Sequence, residues 1–531
     1  MINIDYLTIK AFIKENFSYL SGARIQKIRQ SSAKDLVLVL RNQGESRKLY
    51  INITPDIYHI AFLSTESENL RGLVYPSKPP MFCMLLRKYL DNAKIVNITQ
   101  PHYERIIEFE LETKNEIDGE KTLVLAIELM GKHSNIILYD KTTSIIIGCA
   151  HNIGENKSSV RELYGGIPYI YPPSSNKKDF LRCHEITNYS SLADDYLGFS
   201  KFFANLCQGA DVEEIKDYFE LKNINPAMNN DEYSIFGDLL KTGKVFLSSV
   251  NETIDKYYSN QQYKKRLATL KGELLAITQS RYKKTKSALN DINAVRNRRD
   301  NTDKYKLYGE LLTANIYLNK NFIKEIELDD YNSGKKVLIP LDETLSMIEN
   351  SKRYYKLYSK SKRTKEKTEE LLQTLSDTKS YLEDIIYSIN SADSLELLDE
   401  IKSELLPEKL KDNKKITEKP TILQINIFDF NVYIGRNNKQ NDFIISKLAK
   451  DEDYWFHVKG NAGSHVLLKL IDNREPDETV LFECCKLAKK YSSVPEKEKV
   501  GVIYTKRKYI RKPPAANLGY VTYRNEKEVY I

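Results

Sequence analysis

Apolar residues recur at helical spacing from Asp5 to Asn16 (Tyr6, Ile9, Phe12, Ile13), which predicts a helix near the start of the chain. Asp35 to Leu40 and Lys48 to Ile53 are short β-rich runs bounded by turn residues, as expected of sheet strands. Pro79-Pro80 opens a predicted helix, Met81 to Leu90, because a proline in the first turn gives up no hydrogen bond. From Arg105 to Leu111, Ile107, Phe109 and Leu111 alternate with Ile106, Glu108 and Glu110, the pattern of a half-buried strand. Leu123 to Leu129 is apolar enough for a fully buried strand, and Ile136 to Tyr139 follows a turn centred on Gly131.

The pattern then changes. Pro172 to Lys178 reads as a linker, and residues 180–250 as short helices with polar breaks, around Tyr196 to Ser200 and Lys201 to Cys207. A long helical segment runs from Ile254 to Asp300. Tyr263, Leu267, Leu270, Leu274 and Ile277 are spaced by alternating fours and threes, a coiled-coil seam. A second seam is Leu371, Leu375, Thr378, Leu382, Ile385 and Ile389. The residues between, Lys304 to Leu341, look compact, with strand-like patches at Lys324 to Leu328 and Val337 to Ile339. Two helices separated by a folded insertion meet again by running antiparallel, so an antiparallel arm with an inserted module is expected; two core helices of a bundle are the alternative. After Pro420 the pattern is α/β: alternating apolar residues from Leu423 to Tyr433, strands at Val466 to Leu468 and Val500 to Tyr504, and an amphipathic helix from Thr479 to Tyr491.

A chain of 531 residues is too long for one core; at roughly 150 residues per domain it holds three or four. With 41% hydrophobic and 29% charged residues, wholesale disorder is excluded. Six cysteines without a CxxC pair or a Cys/His cluster form neither a disulfide framework nor a zinc site. The first residues lack a signal peptide's basic start and apolar run, and no stretch approaches ~18 continuous apolar residues, so a soluble, cytoplasmic protein with no membrane partner is expected.

The net charge of +8 is unevenly placed. Lys352 to Lys367 carries eight Lys and Arg against Glu366 alone, a local +7. Arg281 to Arg299 carries seven against Asp291, a local +6. A third run, Lys506 to Lys512, interleaves a tyrosine. Any one run could be a solvated helix face; three, two of them on paired arms, point to a polyanion, RNA or DNA. Catalytic spacings are absent: no Walker-type GxxxxGK, HExxH, GxSxG or GxGxxG. No catalytic residue, cofactor or metal is therefore expected.

Three stretches carry more Gly, Asn, His and charge than packing requires: Glu128 to Asn135, Gly435 to Asp442 and Asp453 to Val466. Trp455, the single tryptophan, sits with His457 and Lys459, a combination able to stack on a base and meet a phosphate. The alternative is polar turns and hydrogen-bonded histidines.

These stretches, with Pro79 to Lys88, Tyr308 to Asn315 and Trp455 to Val466, make the chain resemble the NFACT family, whose bacterial branch is the RqcH proteins. The resemblance covers essentially the whole chain. It implies an α+β multidomain protein: a mixed α/β NFACT-N domain (1–175), a helix-hairpin-helix region (176–250), a long antiparallel coiled-coil arm (251–303 and 342–415) around a middle module (304–341), and an α/β NFACT-R domain (416–531). It also implies ribosome quality control: binding a large ribosomal subunit, through its rRNA, that is obstructed by a peptidyl-tRNA and its stalled nascent chain, and recruiting tRNA, alanyl-tRNA in this family, for mRNA-independent alanine tailing. A small S4-domain helper of the RqcP type is an implied partner. The ribosome forms the peptide bond, so the protein is expected not to be an enzyme.

The family's tRNA-recruiting aspartate falls on Asp5, followed here by Tyr6 instead of the frequent glycine, and its Asp-Arg pair falls on Glu104 and Arg105, with glutamate replacing aspartate. In a regular strand Glu104 and Arg105 would face opposite ways, so joint action requires them in the turn after Pro101. Arg87, Lys132 and His133, in two of the shared motifs, are further implied tRNA contacts. Lys352, Arg353, Lys362, Arg363, Lys365 and Lys367 are expected to meet rRNA. The NFACT-R motif comprises Arg436, Asn437, Asn438, Gln440, Asn441, Asp442, Trp455, His457, Lys459, Gly463, Ser464 and His465, with Ala462 where the family often has proline. Two competing readings are a surface fibronectin-binding adhesin and an inactive DNA-glycosylase-like nucleic-acid binder, since a chain beginning Met1-Ile2-Asn3 lacks the glycosylase's N-terminal proline.

Overall fold

The carboxylate of Asp5 accepts a hydrogen bond from the Thr8 amide and so caps the first helix, α1 (Tyr6–Leu20). The computed structural model describes residues 4–531 except 102, 116–118, 156–159, 174–175, 242, 297–300, 319, 332, 408–419, 472–473 and 515. Residues 1–3, on which the glycosylase argument turns, lie outside it. Two units, Met1–Lys265 and Arg266–Ile531, organise the chain.

In the first unit, strands β1 (Arg24–Arg29), β2 (Asp35–Asn42), β3 (Glu45–Asn52) and β4 (His59–Phe62) are followed by helices α2 (Thr65–Arg71) and α3 (Met81–Leu90). Strands β5 (Lys94–Thr99), β6 (Ile106–Asn115), β7 (Gly119–Glu128), β8 (Asn135–Asp140) and β9 (Ile146–Cys149) complete an antiparallel nine-stranded sheet of order β4-β3-β2-β1-β5-β6-β7-β8-β9. Leu7, Ile9 and Phe12 of α1 and Cys83, Leu86 and Leu90 of α3 join its core. The strand predicted as half-buried is buried on both faces: Ile106 is 0% exposed and Glu108 7%. A second cluster around Tyr139, Leu163 and Tyr169 covers the face assigned to solvent. There the Tyr139 and Tyr171 hydroxyls donate to the Glu108 carboxylate at 3.0 and 2.7 Å, which satisfies the buried charge.

Three short helices follow, α4 (Leu192–Asp195), α5 (Lys201–Leu206) and α6 (Val212–Phe219), with two-residue strands β10 (Ala227–Met228), β11 (Tyr233–Ser234) and β12 (Val245–Phe246) that the sequence did not suggest. Tyr196 to Ser200, read as helical, is a turn in which Gly198 has φ +79°. The predicted linker, of which 174–175 lie outside the described residues, is tied down at Lys177, whose ammonium donates to the Ala193 carbonyl at 2.6 Å. Helix α7 (Val250–Arg296) starts locked into this unit: Asp255 pairs with the buried Arg71 guanidinium at 2.7 Å, and the Gln262 amide donates to the Tyr50 hydroxyl at 3.1 Å.

In the second unit, α8 (Thr302–Ala314) and the hairpin β13 (Glu325–Asp329) and β14 (Lys336–Pro340) form the inserted module, with Leu311, Leu312, Ile326 and Ile339 at its core. The two strands fall on the strand-like patches at Lys324 to Leu328 and Val337 to Ile339; their pairing as a hairpin and helix α8 were not predicted. Helix α9 (Met347–Ser391) runs antiparallel to the later part of α7: Lys271 donates to the Asn390 carbonyl, Tyr282 to Glu383, and Arg296 pairs with Glu369. The seam is real at one end, where Leu274 packs with Ile385 and Ile389, joined by Leu397, Leu398 and Ile401 of α10 (Leu395–Leu405). At the other end Leu371 is 47% exposed and Leu372 is buried, a one-residue correction to the predicted seam. The tails predicted for the two arm helices, 297–300 and 408–415, lie outside the described residues.

The C-terminal sheet has six antiparallel strands in the order β15-β16-β18-β17-β19-β22: β15 (Leu423–Ile427), β16 (Phe430–Ile434), β17 (Tyr454–Val458), β18 (Val466–Lys469), β19 (Gly501–Lys506) and β22 (Lys527–Tyr530). Between these fall α11 (Asn438–Phe443), α12 (Glu478–Lys490) and the small pair β20 (Ile510–Arg511) and β21 (Thr522–Tyr523). The predicted single run at Leu423 to Tyr433 is the β15–β16 hairpin, which turns at Phe428 with φ +49°. Among the described residues no helix is long and apolar enough to cross a membrane.

Candidate nucleic-acid interface

A cleft of about 630 Å³ in the first unit is lined by the start of α1, the turn before β6 and the segment around α5. It brings together three residues picked out from the sequence, Asp5, Glu104 and Arg105. The turn geometry they required is present. The Glu104 amide donates to the Pro101 carbonyl at 2.9 Å and β6 begins only at Ile106, so the pair stands ahead of the strand's alternation. The Gln100 side-chain amide donates to the carbonyls of both Tyr6 and Glu104 at 3.0 Å, tying this turn to the first turn of α1. Arg105 donates to the Tyr58 hydroxyl at 2.8 Å, which fixes its guanidinium.

Asp5 is more heavily used than its sequence position suggests. One carboxylate oxygen accepts from the Thr8 amide and hydroxyl at 2.9 and 2.7 Å; the other accepts from Ser200 at 2.9 Å. Ser200 in turn caps α5 by accepting from the Phe203 amide. Asp5 therefore fastens two helix starts to each other across 195 residues of sequence.

Sequence reasoning missed the cleft's aromatic content. Tyr6 and Tyr103 lie with ring centroids 5.1 Å apart, and the Tyr103 hydroxyl donates to Asp179 at 3.1 Å. Gly198 makes room for them: a Cβ there would lie 3.1 Å from Tyr6 and 3.2 Å from Tyr103. Burial, with Tyr103 and Asp179 nearby, pushes the Tyr6 phenol up to about 12, so it stays protonated. The departure at Tyr6 and the residue preceding Glu104 were visible signals; Lys177, Phe199 and Lys201 reach the cleft only through tertiary folding.

The remaining implied tRNA contacts do not line the cleft. Arg87 lies on α3 and donates through Nε and Nη2 to the Ile28 carbonyl at 2.9 and 2.8 Å, anchoring β1. Lys132 and His133 are exposed on a short turn whose Gly131 approaches Tyr58, the residue holding Arg105.

Lys352, Arg353, Lys362, Arg363, Lys365 and Lys367 are all exposed on α9. Arg353 pairs with Asp342 at 3.1 Å. Arg281 donates to the Leu405 carbonyl, while Arg298 and Arg299 of that run lie outside the described residues. The third basic run is a correction. Lys506 pairs with Glu452 and Glu475, Lys508 with Glu452 and Lys512 with Asp442, and Arg507 donates to the carbonyls of Ile445 and Ile510. Three of its five cations thus pair with carboxylates of the same domain.

The second correction concerns Trp455, expected to stack on a base. It is 1% exposed, in a central strand covered by Ile444, Ile445, Leu467, Ile503 and Ile510. Its ring lies parallel to His457 at 5.8 Å and edge-on to His465 at 5.3 Å. Burial lowers the pKa of both histidines, His465 well below the ordinary value, so they are neutral. Lys459, the expected phosphate contact, pairs with Glu528 at 2.6 Å.

The polar motif before it is also turned inward. Asn437 caps α11 and donates to Glu400 at 2.6 Å; Gln440 donates to the same carboxylate at 2.9 Å; Asn438 donates to Glu404 at 3.2 Å. Arg436 pairs with Asp393. The Asn441 side chain accepts from the His465 amide at 3.0 Å and packs on Gly435, where a Cβ would collide with it. Gly463 packs against Ser492, and the buried Ser464 donates its amide to the Tyr491 carbonyl at 2.9 Å. A short loop and α11 thus hold α10 by a row of amides on carboxylates, while Arg436 Nε and Trp455 Nε1 are buried without an acceptor among the described residues.

Comparison with known proteins yields two family matches: NFACT N-terminal and middle domains over residues 5–421, and NFACT protein RNA binding domain over residues 423–525. Similar curated proteins include the Rqc2 homolog RqcH of Streptococcus pneumoniae, 30% identical across 100% of this chain and 98% of that one, and the Rqc2 homolog RqcH of Bacillus subtilis, 28% identical across 96% and 95%. A solved structure, the N-terminal part of the fibronectin/fibrinogen-binding protein of Streptococcus suis, covers 48% of the chain at 26% identity with a TM-score of 0.44.

Proposed function

The chain belongs to the NFACT family, and from that membership we propose that it is a ribosome-associated quality-control factor. The supporting observation is the near full-length match, at 28–30% identity, to relatives named Rqc2 homolog RqcH. In this reading the protein engages a large ribosomal subunit obstructed by a peptidyl-tRNA and brings in alanyl-tRNA. The stalled chain is then extended with alanines without mRNA, which marks it for degradation. An S4-domain helper of the RqcP type assists, and the ribosome forms the bonds, so the protein delivers substrate and is not an enzyme.

The chemistry of the described surfaces supports a division of labour. The exposed cations of α9 suit the rRNA backbone, where binding depends on phosphate neutralisation and falls with salt. The cleft suits tRNA, because a carboxylate at Glu104 accepts from exocyclic amines or ribose hydroxyls while arginine matches phosphate or a guanine edge.

The test is to purify the tagged protein from cells with stalled translation and sequence the RNA that accompanies it. Large-subunit rRNA without small-subunit rRNA, plus an enriched alanine tRNA, is the expected result. Large-subunit rRNA without tRNA enrichment removes the delivery role. Absence of RNA overturns the reading and favours a surface adhesin.

A further inference from the structure

We propose that the outer face of the β20–β21 ribbon, carrying Tyr509, Arg511, Tyr520 and Arg524, is where the C-terminal domain takes hold of unpaired RNA. Its tyrosines stack on bases and its arginines meet phosphates. Neither the arm nor the cleft of the first unit includes this face, which lies within the RNA binding domain matched over residues 423–525.

Alternation along the ribbon sorts its residues into two faces. Ile510 stands opposite Tyr523 and Arg511 opposite Thr522, and the Arg524 amide donates to the Tyr509 carbonyl at 3.1 Å, which extends the pairing by one step. Ile510 is 2% exposed and packs, with Val521 and Tyr523, into the cluster around Trp455; the Tyr523 ring lies 5.7 Å from the indole. Successive side chains of a strand go to opposite faces, so Tyr509, Arg511, Tyr520, Thr522 and Arg524 share the other one. All five are exposed, Tyr509 at 37% and Tyr520 at 45%.

Two features set this face apart from the other basic surfaces. The first is the state of its arginines. Lys506, Lys508 and Lys512 of the same run pair with carboxylates and Arg507 donates to backbone carbonyls, whereas among the described residues no carboxylate pairs with Arg511 or Arg524. Both guanidiniums therefore remain for phosphate, which arginine matches with two parallel hydrogen bonds. The second is the presence of rings among the cations. Between Lys362 and Lys367 of the arm there is no aromatic residue, so that stretch can meet phosphate alone. On the ribbon Tyr509 faces Arg524 across the strands, and Tyr520 lies two residues before Thr522. The Lys508 ammonium sits 5.5 Å from the Tyr509 ring, which leaves Tyr520 the more open of the two. Cations that track a backbone beside rings that receive bases suit a single strand. A duplex keeps the faces of its bases stacked on one another, so the partner is an unpaired segment.

The platform is also held in shape before anything binds. The Thr522 hydroxyl donates to the Arg511 carbonyl at 3.2 Å, and the Thr505 hydroxyl of β19 donates to the Arg524 carbonyl at 3.0 Å, so both strands are fixed. Gly519, at φ +76°, packs on Asn438 of α11, where a Cβ would lie 3.2 Å from the amide oxygen, and this sets the start of Tyr520. Ordering these side chains in advance lowers the entropy lost on binding. Trp455 then acts from beneath: it supports the surface that stacks and does not itself touch a base.

The experiment uses the full-length protein and an unstructured RNA of about twelve uridines carrying 4-thiouridine, a length typical of single-strand sites. Photocrosslinking followed by mass spectrometry maps the contact. Fluorescence anisotropy across a salt series gives affinity, measured also with Lys362→Ala, Arg363→Ala and Lys367→Ala in place so that the arm contributes less. Crosslinks are expected at Tyr509 or Tyr520. Tyr520→Leu is expected to weaken binding about 5- to 100-fold, and Tyr520→Phe to keep it. Arg511→Ala with Arg524→Ala is expected to lower the log–log salt slope by about 1.4, at about 0.7 for each phosphate contact on a single strand. If Tyr520→Leu lowers the melting temperature, the arginine pair carries the test. Ribbon variants that bind and crosslink like wild type overturn the proposal, as does a wild type that binds no oligonucleotide. Equal weakening by Tyr520→Phe and Tyr520→Leu overturns the stacking. Sedimentation with large subunits is read separately: its absence in wild type overturns the ribosome reading and leaves the ribbon to be judged by its crosslinks and affinity.

Discussion

The chain has two dense polar sites, and they are built to opposite ends. The cleft of the first unit gathers Glu104, Arg105, Tyr6 and Tyr103 as partly exposed side chains around an open volume. The motif of the second unit, equally rich in polar residues, is closed: Asn437, Asn438, Gln440 and Asn441 are each under 5% exposed and bonded inward. Composition is alike in the two places. The difference lies in exposure: the motif's amides are buried against α10, whereas the cleft's side chains line an open volume, and residues far away in sequence settle which it is. A polar motif is therefore as readily a clasp as a contact surface.

This contrast can be broken most severely at Trp455. Trp455→Ala should remove about 3–5 kcal/mol of stability, seen as a large fall in the melting temperature of the second unit. If the mutant instead keeps its melting temperature and loses RNA, the motif is a contact surface after all. Asn437→Ala is expected to cost about 1–3 kcal/mol, because Glu400 loses a donor while buried amides lose their cap. On the open site the pattern should invert. Glu104→Ala and Arg105→Ala should each cost no more than about 1 kcal/mol, for Arg105 the loss of its bond to Tyr58, while tRNA recovery falls sharply. On the arm, neutralising Lys362, Arg363 and Lys367 together should lower the salt dependence of ribosome binding by about one unit of log–log slope per lost phosphate contact, measured by sedimentation across a salt series.

The smallest effect concerns pH. Asp384, on α9, is pushed from 3.8 up to about 7, first by burial and then by Glu383 and Glu404. A carboxyl raised by folding is protonated in the native state while the unfolded chain has released its proton. Its contribution is intact below pH ~4 and is lost as pH rises toward 7. Asp384→Asn should flatten that decline and raise the melting temperature at pH 8, with little change at pH 4.

Much of the fold was readable from periodicity. The helix after Asp5, the strands near Asp35 and Lys48, and the antiparallel arm with strand-like patches in its inserted module all follow from local spacing, since each element shows its buried face in its own residues. The misreadings share another cause. The polar position Glu108 is buried because a separate cluster lies over it, and Trp455 is buried because its strand sits between β18 and β19. Lys506, Lys508 and Lys512 of the last basic run pair with Glu452, Glu475 and Asp442, 31 to 70 residues away. The cleft was half legible. Asp5, Glu104 and Arg105 came through family resemblance, but nothing local announces that Ser200 will bond Asp5 or that Gly198 will face two tyrosines.

The arm has a consequence for how the chain is born. The first turns of α7 carry Asn251, Asp255 and Gln262, whose partners Phe62, Arg71 and Tyr50 all precede them. That stretch can settle as soon as it leaves the exit tunnel. Downstream, Leu274 has its packing partners at Ile385 and Ile389, over a hundred residues later. Vectorial synthesis at roughly 5–20 residues per second leaves the rest of α7 without its mate for several seconds or more. For that interval it is a solvated helix with an uncovered leucine stripe, and release of α9 is the step that closes it.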